Sequence, residues 1–99
     1  MGDLDILREL LARIGSFSLG GPESLGEISR DLEILFEQLN TRLPSVERAY
    51  YNFCNAAEVI WVSSTELGRP MTGLDHKEAT ILLSKLDGVL TAEIVLLEN

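Results

Sequence analysis

The 99-residue chain holds one cysteine, one histidine, one tryptophan, three prolines and only eight basic side chains against sixteen acidic ones. Each scarcity removes a class of protein. A single Cys54 closes no disulfide within the chain, which excludes a disulfide scaffold and fits a reducing compartment. His76 has no second histidine or neighbouring cysteine with zinc-ligand spacing, and no glycine-rich phosphate loop is present, so neither a metal nor a cofactor is expected. Uninterrupted apolar runs stop at four residues, far short of the ~20 that span a bilayer. Met1 to Asp5 bring two aspartates and no basic stretch, which argues against a secretory signal and for a cytoplasmic location. The shortage of cations makes phosphate backbones and anionic membrane surfaces poor partners and would steer in a basic one.

What is abundant is apolar surface. Hydrophobic residues make up 45% of a chain whose formal net charge is −8, and the mean hydropathy is +0.14. A chain of this length forms one domain, residues 1–99, and buries roughly 65% of the surface its unfolded form exposes. Ile94, Val95, Leu96 and Leu97 are adjacent, so no helix can bury all four against one neighbour. Cover from the rest of the domain or from another chain is expected, and with Val59 to Val62 also apolar all round the expectation is a homodimer or larger homo-oligomer joined through the third and fourth segments.

Glycine and proline clusters at Gly15 to Pro22, Leu43-Pro44 and Gly68 to Gly73 divide the chain into four segments. In the first, Leu4, Leu7, Leu10, Leu11 and Ile14 recur at helical spacing, with Asp3 and Asp5 favourably placed in the first turn and Gly15 as a stop. In the second, Ser24-Leu25-Gly26-Glu27 has the form of a capping box, and Leu25, Ile28, Leu32, Leu35 and Leu39 follow at alternating three and four. Its other side carries Glu23, Glu27 and Asp31 at successive fourth positions, a like-charge spacing that repels by a few tenths of a kcal/mol per pair.

The third segment continues with Val46, Tyr50, Phe53, Ala57 and Ile60, and Val59, Trp61 and Val62 make its far end apolar almost all round. A short turn at Leu43-Pro44 predicts that the second and third segments form an antiparallel helical hairpin. The fourth begins at Asp75, with Asp75 as cap and Glu78 three residues on. It places Ala79, Leu82, Leu83, Leu86, Leu90, Ile94 and Leu97 on one face. Asp87-Gly88 is also a β-hairpin signal, with branched residues after it. Helix is the better reading, because the flanks lack period two and no other strand is present to complete a sheet. The predicted fold is all-α, a bundle of about four helices around a central hairpin, with a C-terminal β-hairpin as the alternative.

Few residues offer chemistry. Arg69 and His76 are separated by six residues. That spacing resembles the Arg–His motif of the HEPN-type ribonucleases, which are all-helical and usually dimeric, and the likeness covers those two positions only. It implies a ribonuclease site at Arg69 and His76. Pro70 and Gly73 intervene, however, and a charge of −8 repels phosphate. Cys54 lies one place off an apolar stripe, where a small buried hydrophobe is the usual occupant. No catalytic residue is therefore assigned.

In size, acidity and helix count the chain is similar to bacterial immunity proteins of the colicin type, though it shares no motif with them. The expected function is non-enzymatic protein association, as an adaptor, chaperone-like binder or oligomer subunit, with an acidic inhibitor of a basic toxin or nuclease as alternative. The candidate interface residues are the acidic ridge Glu23, Glu27 and Asp31, the aromatics Tyr51 and Trp61, and the apolar Val62, Ile94 and Leu97.

Overall fold

In a computed structural model, which describes residues 2–98, the chain forms four helices: α1 (Asp3–Gly15), α2 (Pro22–Phe36), α3 (Pro44–Thr65) and α4 (Gly73–Glu98). Each helix packs on the next and α4 closes back on α1, a ring of four around one core. Connections of six or seven residues make successive helices antiparallel. Two polar contacts tie α1 to its neighbours in the ring. Asp3 at the start of α1 accepts from the connection after α2, and Arg8 of α1 pairs with Glu98 at the end of α4 at 2.6 Å.

The core is the set of residues at three-four spacing on each helix: Leu7 and Leu10 from α1, Leu25, Ile28 and Leu32 from α2, Phe53 from α3, Leu86 and Leu90 from α4, all essentially sealed from solvent. No buried residue is polar or charged among those described. The connection after α1 joins the core through Phe17 and Leu19. With 22 and 26 residues, α3 and α4 outrun α1 and α2 at 13 and 15. Their joined tip lies beyond the cover of the shorter pair, which is why Leu67 and Leu74 stand 62% and 79% exposed. No described helix is long and apolar enough to cross a membrane.

Local chemistry moves three boundaries from where the pattern puts them. The box expected at Ser24 does not form. Gly21 caps α2 and Pro22 begins it, so Ser24 lies inside the first turn, donating to the Gly21 carbonyl at 2.6 Å and accepting from the Gly20 N–H. The box of α4 forms one turn earlier than Asp75. Thr72 is the cap: its Oγ1 accepts from the Asp75 N–H and the Asp75 carboxylate accepts from the Thr72 N–H, both at 3.0 Å. Helix α2 ends at Phe36, and residues 37–43 form the connection rather than a tight turn. There Leu39 donates to the Phe36 carbonyl in a four-residue turn, while the Asp3 carboxylate accepts from the Asn40 and Thr41 N–H groups at 2.9 Å. Leu39 and Leu43 keep their places on the core from outside the helix.

The C-terminal β-hairpin is absent: α4 runs unbroken through Asp87-Gly88 to Glu98. Ala79, Leu83, Leu86, Leu90 and Ile94 are all buried, a period that a strand cannot deliver to one side. A helix also satisfies its backbone without a partner strand.

Candidate interaction surface

A groove of about 420 Å³ runs between α2 and α3, lined by Ser29, Glu33, Tyr51, Cys54, Glu58 and Trp61 among others. Helix periodicity puts it there. Leu25, Ile28 and Leu32 turn α2 toward the core, which leaves Ser29 and Glu33 on its flank; Tyr50, Phe53 and Ala57 do the same for α3, which leaves Tyr51, Cys54, Glu58 and Trp61.

At one end of the groove three aromatic rings pack together. Phe36 stacks on Tyr50 at a centroid distance of 4.5 Å, and Tyr51 meets the Phe36 ring edge-on at 6.3 Å. Tyr50 is buried by this arrangement, and Tyr51 stays 54% exposed on a rigid base. At the other end the Trp61 indole crosses α2 beside Gly26, 3.6 Å from where a Cβ would stand, and remains 40% exposed. Glu33 and Glu58 contribute carboxylates and Arg30 a single cation.

The groove floor is chemically quiet. Burial pushes the Cys54 thiol above its ordinary pKa, so it stays protonated at neutral pH and is a poor nucleophile. Tyr50 is raised as well, first by burial and then by the adjacent Cys54. The Ser29 hydroxyl oxygen is buried beside them, facing the Cys54 thiol, and makes no well-formed hydrogen bond. His76 is not in the groove. It lies on α4, exposed, at the edge of a separate cavity of about 250 Å³ shared with Phe17, Leu19 and Thr80. Arg69 sits in the connection before α4, beyond Gly68, whose φ of +67° turns the chain away from α3. Its N–H donates to the Ser63 carbonyl and its side chain is in solvent. Among the described residues, no group of three or more metal-ligating side chains converges.

The interface candidates do not form one surface. Tyr51 and Trp61 both line the groove, at its two ends, while Val62, next to Trp61 in sequence, is half-buried. Glu23 and Glu27 are exposed on α2. Asp31 does not continue their ridge: it is drawn toward α1, where its Oδ2 accepts from Arg13 Nη2 at 2.6 Å and Nε at 2.8 Å. Ile94 is a core residue, 8% exposed, because it falls on the Leu86–Leu90 face. Of the apolar quartet only Val95, Leu96 and Leu97 remain outside.

Compared with known protein families, curated proteins and solved structures, the chain matches none. Sequence patterns marked the groove's aromatics but missed Glu33 and Glu58, which share its flanks. Their signal was available: each lies next to a core position, on the side where the two helices of the hairpin meet. The exposed Leu74 and Ile81 were missed too, although each lies opposite the Ala79–Leu83–Leu86 stripe in helical projection.

Proposed function

We propose that the protein is a non-enzymatic interaction module whose α2–α3 groove takes a cationic, amphipathic segment of a partner protein. The observation that carries this reading is the pairing of two exposed, well-supported aromatics, Tyr51 and Trp61, with the Glu33 and Glu58 carboxylates in one groove. Aromatic faces and carboxylates both attract lysine and arginine, the first through the ring quadrupole and the second by charge. Tyrosine and tryptophan also supply large contact areas at low entropic cost. A net charge of −8 steers such a partner in from a distance. The same charge favours a second reading within this class, an inhibitor that covers a basic toxin or nuclease.

Trp61 is the only tryptophan, so its emission reports on the groove directly. Titration with an amphipathic arginine-bearing peptide should give a saturable change that weakens with salt and is lost in the Glu33→Gln, Glu58→Gln variant. No saturable change, or an equal response to the glutamate-substituted peptide, would overturn the reading. The non-enzymatic assignment has its own assay. Purified protein should leave RNA intact at low salt. Robust cleavage, abolished by His76→Ala in a folded protein, would make the Arg69–His76 pair a ribonuclease site instead.

A further inference from the structure

Both walls of the α2–α3 groove are helices, whose backbone N–H and C=O groups bond within each helix. Among the described residues there is no strand, and so no edge with a row of free backbone groups. An extended peptide draws its affinity from such an edge. Laid in this groove it would give up its water partners, receive no backbone bonds in return, and leave polar groups buried and unpaired. A helix brings its backbone bonds with it and asks only side-chain contacts of its host.

The dimensions suit a helix as well. Tyr51 and Trp61 mark the two ends of the groove and lie on α3 ten residues apart, ~15 Å along the axis. A docked helix crosses that length in roughly three turns and sends a side chain inward at every third or fourth position. Between the aromatic ends the lining is small, with Ser29 from α2 and Cys54 and Ala57 from α3. Small side chains there leave room for the apolar ridge of a third helix.

The charges define the flanks of that helix. The Glu33 carboxylate stands on the α2 wall close enough to act on both the Tyr50 hydroxyl and the Cys54 thiol. Glu58 is on the α3 wall, one turn beyond Cys54 toward Trp61. The two carboxylates therefore face the groove from opposite sides. Arg30 lies on the α2 wall on the Trp61 side of Glu33, where it repels a cation. A partner that meets all three has an apolar stripe with a basic residue on each flank, rather than one uniformly basic face.

On the reading of the groove as the site of a cationic segment, we infer that the segment docks as an α-helix, a third helix laid along α2 and α3. Its apolar stripe covers Ser29, Cys54 and Ala57, and its basic residues reach Glu33 on one side and Glu58 on the other.

Two probe peptides of identical length and identical leucine, glutamine and arginine content test this. One sets its leucines at three-four spacing with an arginine on each flank; the other alternates apolar and polar residues, which suits a strand. Trp61 emission measures binding, and Cα chemical shifts of labelled peptide report its bound conformation. The helical-period peptide should saturate, show helical shifts when bound, and bind at least about tenfold more tightly than the alternating one. Moving its arginines to the outward face at constant charge should weaken it about tenfold. The protein itself is unaltered throughout, so no loss of folding enters the comparison. Equal affinity for the two periods, extended-chain shifts in the bound peptide, or indifference to where the arginines stand would overturn the helical mode and leave a cationic site in place. A flat response to both peptides would remove the groove reading and the helical mode with it.

Discussion

At the scale of single residues, two polar groups set up opposite expectations. The Ser29 hydroxyl is buried with only the weakly bonding Cys54 thiol near it and no well-formed hydrogen bond, and an unmet hydrogen-bonding group costs ~1–3 kcal/mol relative to its solvated state. Ser29→Ala should therefore leave stability unchanged or raise it by about 1 kcal/mol, read as the midpoint of urea unfolding; a clear loss would mean that the hydroxyl has a partner in solution. Asp3 is the reverse case, a surface carboxylate with more donors than most. The N–H groups of Asn40 and Thr41 hold its pKa below the ordinary 3.8, the Asn40 N–H most strongly. A carboxylate whose folded pKa is depressed stabilises the fold above its unfolded pKa and loses that contribution as pH falls through the folded value. Asp3→Asn should consequently be less stable than wild type at neutral pH, and the difference should close on acidification below about pH 3.8. A gap that stays constant into strong acid would remove the carboxylate from this account.

At the scale of elements, α4 contains both a weak point and a strong one. Gly88 lies in its interior, exposed and with open space around it. Glycine there costs ~1 kcal/mol relative to alanine. Gly88→Ala should raise the melting temperature by about 4–8 °C in a domain of this size. The reciprocal bonds of Thr72 and Asp75 meet two N–H groups at the start of the same helix, and Thr72→Ala should cost ~1 kcal/mol. Thermal melts of the two variants test whether α4 is limited by its middle or by its end. If Thr72→Ala melts with wild type, the box contributes nothing net.

Across the whole molecule the dominant fact is surplus negative charge on a thin core. Self-repulsion at −8 opposes compaction and is screened by salt over a Debye length of ~10 Å at 0.1 M. Glu27 is exposed on α2 and makes no ion pair among the described residues, whereas Asp31 ties α2 to α1 through Arg13. Glu27→Gln should raise the melting temperature at low salt, with the gain shrinking as salt is added. Asp31→Asn should lower it, by an amount in the ~0–1 kcal/mol range expected for a part-exposed pair. Calorimetry at two ionic strengths distinguishes them, and equal shifts of the same sign would show that net charge alone matters.

The sequence by itself determined the number of helices and most of the residues each one buries, though not Ile6 or the burial of Ile94, and it left the β-hairpin at Asp87-Gly88 as an alternative, because spacing at three and four positions is a property of one chain and survives whatever it packs against. Leu7, Leu32, Phe53 and Leu90 were readable as core for that reason. Their neighbours decided the rest. Only the tertiary structure moved the caps to Gly21 and Thr72, ended α2 at Phe36 where Asp3 reaches the chain after it, and diverted Asp31 from its ridge to Arg13. These outcomes depend on groups 18 to 38 residues apart in sequence or on competition between adjacent turns, which a one-dimensional period does not encode. The candidate site divides the same way. Tyr51 and Trp61 were legible as amphipathic side chains off the apolar stripe, and their meeting with Glu33 and Glu58 in one groove was not, because it exists only once α2 and α3 lie side by side.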